Sequence, residues 1–359
     1  MNAIPAAFWA PAPEDGKDAV PAARCFLCAH GCRIPSGKAG ICGVRLNHEG
    51  RLYSLSSASV SGAAMDPVEK KPLFHFLPGT HTLSFGAPGC TMRCAFCQNY
   101  SLSQVSPPWP GKALTRLPSA LPERLVDMAL SQGAASLSYT YSEPTVFHEL
   151  VLACAARARE KGLASILVSN AYQSEACLES LRGLVDAANF DLKSFRDDFY
   201  RRHCGARLTP VLDTLRRAVS YGWWVEVTTL LIPGLNDSEE ELRAIATFIA
   251  EELGPGVPWH VSRFRPTFKM TDRSPTPLSS LERALDAGKK AGLHFTYAGN
   301  IPGHPSESTR CPACGGVFIH RTGYSSSPAR NASCPSCGAP VPGVWTIDAL
   351  GHQHSGNHQ

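Results

Sequence analysis

The spacing of apolar positions changes along the chain, and the changes mark out its elements. From about residue 80 onward, short runs rich in β-branched and aromatic residues recur: THTLSFG, AASLSYTY, ASILVSN, AANFDLKS, WWVEVTTLLI, PWHVSRF and LHFTYAG. Runs of this length and composition predict strands. Between most of them the apolar positions recur at three and four residues, in PERLVDMALSQG, PTVFHELVLACAARAREKG, SEACLESLRGLV, PVLDTLRRAVSYG, SEEELRAIATFIAEEL and SSLERALDAGKKAG. That spacing predicts helices, and glycine often marks the stop. Strands alternating with helices imply parallel βα units. Six or seven units fall short of the eight that close a full barrel. The expected fold is α/β, a partial TIM-like barrel, with a doubly wound sheet as the rival. The barrel is expected over residues 76–303. Ahead of it come a Pro/Ala-rich, poorly ordered start (1–20) and a cysteine-rich segment (21–75) with the short β pattern GRLYSLSSASVSG. After it come a small cysteine module (304–346) and a histidine-containing tail (347–359).

In parallel α/β folds, the loops at the carboxyl ends of the strands build the site. Read strand by strand, those ends carry Cys90, Cys94 and Cys97, then Ser142 and Glu143 in YSEPT, then Asn170, then Asp191 and Lys193 in DLKS. LIPGLND follows the fifth strand, His260 and Arg263 lie on the sixth, and Asn300 follows the seventh. Any one of these alone reads as an ordinary polar loop residue. Polar groups at every strand end beside three thiols point to a site.

Charge and composition narrow the classes. A formal charge of +4 gives no reason to expect nucleic-acid binding. No apolar run is long enough to cross a membrane, and MNAIPAAFWAPAPEDGKDAV lacks the basic start and apolar core of a signal peptide. A cytoplasmic protein is expected, and there the fourteen cysteines disfavour a disulfide framework. Eleven of them fall into three tight groups, which suits metal ligation. Cys154 and Cys177 lie in helical stretches and read as small buried hydrophobes; Cys204 stands apart.

The middle group, Cys90, Cys94 and Cys97, has the spacing C-x3-C-x2-C. A closed zinc site or a simple ferredoxin cluster takes four thiolates, so three leave one position for something else. A three-ligand zinc site completed by water is one option. The other is a 4Fe–4S cluster with one iron free to bind an exogenous molecule. The flanking text bears on this choice. GCTMRCAFCQN, with Phe96 as the aromatic, resembles the signature of the radical S-adenosylmethionine (SAM) enzymes. Further stretches, from CFLCAHGCRIPSGKAGICGVRLNHEGRLYSL through DPVEKKPLFHFLPG, YTYSEPTVF and FDLKSF to LLIPGLND, resemble the radical SAM enzyme of the AmmeMemoRadiSam system. They also show kinship with the pyruvate formate-lyase activating enzymes. The resemblance spans about residues 25 to 303.

The resemblance implies a partial (β/α)6 barrel. It implies a 4Fe–4S cluster on the three cysteines that cleaves SAM reductively, yielding a 5′-deoxyadenosyl radical for hydrogen abstraction. An external electron donor of the flavodoxin or ferredoxin type would feed it, and Memo-type and AMMECR-type proteins would be its partners. The family's Gly-Gly-Glu segment, which takes the SAM amino group, reads Ser142-Glu143-Pro144 here. Glu143 carries over and the glycines do not. Asn170 matches a residue that holds the ribose or carboxylate. Asp191 and Lys193 match the DLK of activating enzymes, whose lysine pairs with the SAM carboxylate. His260 is placed toward the ribose or adenine, and Phe96 beside the cofactor. A glycyl-radical activase is the alternative activity, although QNYSLSQVSPPWPGKAL after the motif lacks the extra cysteines some activases carry there. A non-catalytic iron–sulfur or zinc scaffold is the alternative outside enzymes.

The outer groups are four-thiol sets. Cys25, Cys28, Cys32 and Cys42, spaced C-x2-C-x3-C-x9-C, suit zinc or an auxiliary iron–sulfur cluster equally by count. Cys311, Cys314, Cys334 and Cys337, spaced C-x2-C-x19-C-x2-C with Gly and Pro at the knuckles, match a zinc ribbon. Such a ribbon serves stability or docking, and with the last strand ending near Gly299 the barrel core is expected to stand without it. The three histidines of GHQHSGNHQ could bind metal weakly.

Overall fold

The strands pair in the order in which they occur along the chain. The computed structural model describes residues 4–12, 21–57, 59–105, 121–301, 303–327 and 331–351. Eight strands form the main sheet: β1 (Ser61–Pro67), β2 (His81–Gly86), β3 (Ser136–Tyr139), β4 (Ala164–Ser169), β5 (Ala187–Asp191), β6 (Trp224–Leu231), β7 (Trp259–Arg263) and β8 (Thr296–Gly299). β1 runs antiparallel to β2, and β2 to β8 are parallel in strict succession. A doubly wound sheet would reverse its order partway, so succession settles for the barrel. β1 and β8 are the two edges and do not pair with each other, so the barrel is open. β1 lies inside the stretch 21–75, and the sheet therefore reaches back into the cysteine-rich segment.

Among the described residues, the longer helices between the parallel strands are α1 (Leu121–Ser131), α2 (His148–Glu160), α3 (Glu175–Glu179), α4 (Leu208–Ser220), α5 (Glu239–Phe248) and α6 (Leu278–Lys290), with single turns at Tyr100–Ser103 and Asp197–Phe199. α2 shows how the spacing works: Leu150, Val151, Cys154, Ala155 and Ala158 recur at three and four residues and are all buried. α5 begins at Ser238, whose hydroxyl accepts from the Glu241 N–H at 3.3 Å, and three glutamates in its first turn complement the helix dipole. α3 is shorter than the predicted SEACLESLRGLV. The chain turns after Glu179, and Gly183 takes φ +73°, a conformation that ends a helix. Cys154 and Cys177 are fully buried, as small hydrophobes should be.

Within the stretch expected to be a poorly ordered start, the described residues 4–12 include paired strands. Ile4–Pro5 pairs with Tyr53–Ser54, and Trp9–Pro11 pairs with Ala23–Cys25. These strands belong to a small N-terminal module whose contacts with the barrel include a buried ion pair. The Arg45 guanidinium donates from both terminal nitrogens to Glu149 of α2, at 2.6 and 2.9 Å. Ser57 Oγ adds a third bond to the same carboxylate at 2.7 Å. The tail's histidines lie outside the described residues.

The other end of the barrel is closed by the C-terminal module. At the amino ends of the parallel strands, Glu226 accepts from the backbone N–H groups of Phe74 and His75 at 3.0 and 2.7 Å. It also accepts from Trp224 Nε1 at 3.0 Å and lies 2.6 Å from His260 Nε2. His75 reaches Tyr297 Oη at 2.6 Å and the Pro342 carbonyl at 2.7 Å, and Leu77 N–H donates to the Val344 carbonyl at 2.7 Å. Phe295, Tyr297, Ile319, Val341 and Trp345 form one buried cluster here with Cys311 and Cys334. The module is thus seated on the barrel floor instead of hanging from it.

Candidate active site

The loop after β2 carries Cys90, Cys94 and Cys97 across the carboxyl rim. Its backbone is held from below by the segment after β5: Arg93 N–H donates to the Cys204 carbonyl at 2.7 Å and Ala95 N–H to the His203 carbonyl at 2.9 Å. Phe96 is buried and its ring packs 5.9 Å from that of Phe199, so it anchors the loop into the core. Gly89, directly before Cys90, has φ +102°, and a β-carbon there would meet Val44 at 2.8 Å and the Cys42 carbonyl at 3.0 Å. Only glycine fits a backbone so bent and so close to a neighbour. The same position joins the cysteine loop to the N-terminal module.

Each thiol has donors directed at it. Cys90 Sγ accepts from Met92 N–H at 3.3 Å and from Asn170 Nδ2 at 3.4 Å. Cys97 Sγ lies 3.1 Å from Ser103 Oγ. Cys94 meets the thiol of Cys204, whose hydrogen bond, against burial, holds the Cys94 pKa below the usual thiol value. Donors to sulfur suit thiolates in a metal cluster, and they are among the levers that tune its potential. The sulfurs are not gathered as around one ion: among the described residues, the metal-capable set whose ligand atoms all fall within 4.8 Å of one another is the C-terminal four.

Glu143 lies just past β3 and is 2 % exposed. Its Oε1 accepts from Thr145 N–H at 3.1 Å, Thr145 Oγ1 at 2.5 Å and Ser169 Oγ at 2.8 Å, and its Oε2 accepts from Asn170 N–H at 2.8 Å. Burial nevertheless raises its pKa, since these donors offset only part of the lost hydration. Oε2 keeps acceptor capacity for an ammonium. The flanking backbone is strained: Tyr141 and Ala171, at the ends of β3 and β4, take φ of 64° and 59°. Ser142 Oγ donates to the Ala87 carbonyl and so ties this strand end to the cysteine loop.

Across the rim, Lys193 Nζ lies 2.9 Å from Asp191 Oδ2. Burial would lower the lysine pKa, but Asp191 and the thiols Cys94 and Cys204 outweigh it and hold the ammonium charged. The rim strand end is fixed by Asn236 of LIPGLND, which donates to the Lys193 carbonyl at 2.7 Å. A carboxylate acceptor and an ammonium donor thus flank three thiols, a pattern that fits the two charged ends of an amino acid.

The structure brings Cys90, Cys94, Cys97, Ser142, Glu143, Asn170, Asp191 and Lys193 to one rim. It does not bring His260 there, for His260 is the second residue of β7 and is engaged with Glu226 on the floor. Sequence reasoning missed Cys204, Thr91, Ser103 and Ser169. Cys204 could have been noticed by its place in the loop after the fourth predicted strand; the other three carry no local signal. In the C-terminal module, Cys311–Cys337 and Cys314–Cys334 have sulfur separations of 3.8 and 3.7 Å. Metal–sulfur bonds of about 2.3 Å in a tetrahedron give edges of about 3.8 Å, so this group is formed to hold one ion.

Comparison with known proteins adds the family. The profile of the radical SAM superfamily matches residues 85–248. An uncharacterized protein of Methanocaldococcus jannaschii, MJ0808, is 42 % identical over 299 residues, covering 83 % of this chain and 87 % of its own. An isethionate sulfite-lyase activating enzyme of Oleidesulfovibrio alaskensis is 32 % identical over 125 residues, 34 % of this chain and 40 % of its own. A crystal structure of a domain of pyruvate-formate lyase-activating enzyme from Bacteroides vulgatus aligns with a TM-score of 0.41 at 16 % identity, over 46 % of this chain and all of that domain.

Proposed function

Because the chain belongs to the radical SAM superfamily, we propose that it cleaves SAM reductively at the rim built by Cys90, Cys94 and Cys97. A 4Fe–4S cluster held there would supply one electron to the SAM sulfonium, so that its C5′–S bond breaks to give methionine and a 5′-deoxyadenosyl radical, which would take a hydrogen atom from a substrate. The observation that carries this reading is the placement of Glu143 and Lys193 on either side of three donor-supported thiols. Cys90, Cys94 and Cys97 hold the cluster, with Asn170 and Ser103 orienting two of the sulfurs. Glu143 Oε2 accepts from the amino group of SAM. Lys193 pairs with its carboxylate as a point charge, kept in place by Asp191. Asn170 bridges the two functions, donating its backbone N–H to Glu143 and its side chain to Cys90. His260 serves the floor in this reading, and Phe96 anchors the loop.

The test is an anaerobic incubation of the reconstituted protein with SAM and dithionite, followed by chromatography. Release of 5′-deoxyadenosine is expected. A protein with a full cluster and no product would overturn the reading in favour of a scaffold.

The similarity to an activating enzyme over 125 residues favours one finer alternative, a glycyl-radical activase. An organic radical on a co-expressed partner chain, seen by electron paramagnetic resonance, would establish it. A flavodoxin- or ferredoxin-type donor and Memo-type and AMMECR-type partners belong to the same proposal, and affinity purification from the native cell tests them. Zinc is the ion proposed for the C-terminal four cysteines, where no reducible centre is needed. All fourteen cysteines are free, which supports a cytoplasmic setting, and no helix among the described residues is long and apolar enough to cross a membrane.

A further inference from the structure

We propose that Cys25, Cys28, Cys32 and Cys42 hold a second, fully ligated iron–sulfur cluster of the 4Fe–4S type, and not a single zinc ion. The four thiols line one small cavity in the N-terminal module, together with Arg45 and Thr91. The molecule carries its own two standards for comparison. The C-terminal thiols stand 3.7 and 3.8 Å apart, as one tetrahedral ion requires. The Cys90 loop, where the family places a cluster, is not gathered that tightly, and neither are the N-terminal four, which line one small cavity without closing on a single point. Thiolates radiating from four irons stand farther apart than the ligands of one ion, and the spacing of these four agrees with that.

A second observation is independent of the cysteines. Arg45 is 1 % exposed, and its Nε–H is buried without a hydrogen-bond partner. Its two terminal nitrogens are taken by Glu149, while the side chain lines the thiol cavity. A buried donor left without an acceptor is destabilising. A cluster sulfur in the cavity gives it an acceptor, and the guanidinium offsets the negative charge that four thiolates leave on such a cluster.

The position suggests the role. Thr91 lines the cavity and also contacts Asn170, the residue that reaches Cys90. His30 Nε2 lies 2.7 Å from the Thr91 carbonyl. The two sites therefore share a thin wall. The second cluster takes one electron from an external one-electron donor protein and passes it to the cluster on Cys90, Cys94 and Cys97, ending unchanged. Only this relay role rests on the reading under "Proposed function"; the identity of the metal does not.

The test uses the full chain with Cys90→Ala, Cys94→Ala and Cys97→Ala combined, produced anaerobically with iron-57. We expect about four iron and four sulfide per chain, a Mössbauer spectrum of a 4Fe–4S centre, and about one zinc. Adding Cys28→Ala and Cys32→Ala should remove the iron and leave the zinc. A triple variant with about two zinc and no iron or sulfide would overturn the proposal, as would iron that survives the added substitutions. The wild-type chain guards against misfolding of the variants, since about eight iron are expected in it against about four if the proposal fails. Arg45→Lys in the triple variant keeps the charge toward Glu149 and removes the Nε donor, so the cluster's midpoint potential should fall. An unchanged potential would take Arg45 out of the site. A triple variant that keeps its cluster while the wild type fails to cleave SAM refutes the SAM reading alone.

Discussion

Replacing Glu143 by glutamine separates the two roles that its carboxylate combines. An amide that keeps its oxygen at the Oε1 position retains the acceptor for Thr145 and Ser169. Its NH2 then faces the Asn170 N–H, which now donates to Oε2 at 2.8 Å. Two donors in opposition leave one buried N–H unsatisfied, at about 1–3 kcal/mol, and the remaining bonds lose their charge assistance. The expected loss of stability is therefore about 2–3 kcal/mol, a fall in Tm of roughly 3–4 °C for a chain of this size. SAM loses its ammonium partner in the same step, and a charge-assisted bond of about 1.4–2.8 kcal/mol corresponds to a ten- to hundredfold weaker Kd. Ser169→Ala is the control: it removes one donor to the carboxylate, so Tm should fall while SAM affinity stays. Differential scanning fluorimetry and anaerobic titration calorimetry read the two quantities separately. A glutamine variant with lower Tm and unchanged SAM Kd would show that Glu143 is only a brace between strand ends, and the SAM assignment would be withdrawn.

Any one of Cys90→Ala, Cys94→Ala and Cys97→Ala should abolish 5′-deoxyadenosine release and the broad absorbance of the cluster, and retention of both by one variant would remove that cysteine from the ligand set. Gly89→Ala should disturb both cysteine groups at once, because the added methyl enters the 2.8–3.0 Å contacts with Val44 and the Cys42 carbonyl; iron content per chain falls if this is so and stays at the wild-type value if it is not. Trp345→Ala removes a buried side chain of the floor cluster and should cost about 3–5 kcal/mol, measured by urea denaturation. Acid should destabilise the fold through two buried histidines. Burial lowers the pKa of His75 and of His148 from 6.5 to about 4, so the unfolded chain binds protons in this interval that the folded chain does not. Stability is whole above about pH 6.5 and declines as pH falls toward 4. His148→Gln should make that decline shallower, and an unchanged pH profile would contradict the sign.

Much of the barrel was readable because its parallel strands are short runs carrying β-branched and aromatic residues, most of them followed by a helix of clear period, and the rim followed from one rule about strand ends. Three features were not readable. β1 has the sequence SGAAMDP, with four small residues and a proline, and it gains its place by pairing with β2 rather than by propensity. Arg45 and Glu149 lie in unrelated segments, 104 residues apart, and nothing local announces that they meet. His260 looked like a rim residue because it lies on a strand whose end faces the site. Its position as the second residue of that strand, with Glu226 across from it, places it on the floor instead. Strand membership was legible, and height along the strand was not.

The floor has a consequence for how the chain is made. Its closing residues, Pro342 and Val344 among them, come after the last strand of the sheet, yet they hold His75 and Leu77 near the beginning of the barrel. A ribosome will have released all eight strands of the sheet before these contacts can form, so the barrel must wait with Phe74, Tyr297 and the Glu226 network open to water. On the proposal that the four C-terminal thiols hold an ion, completion then depends on that ion drawing them together. Metal supply would in this way act late, on nascent chains that are already long. Cells starved of that ion should accumulate the protein as a protease-sensitive form with its N-terminal module intact.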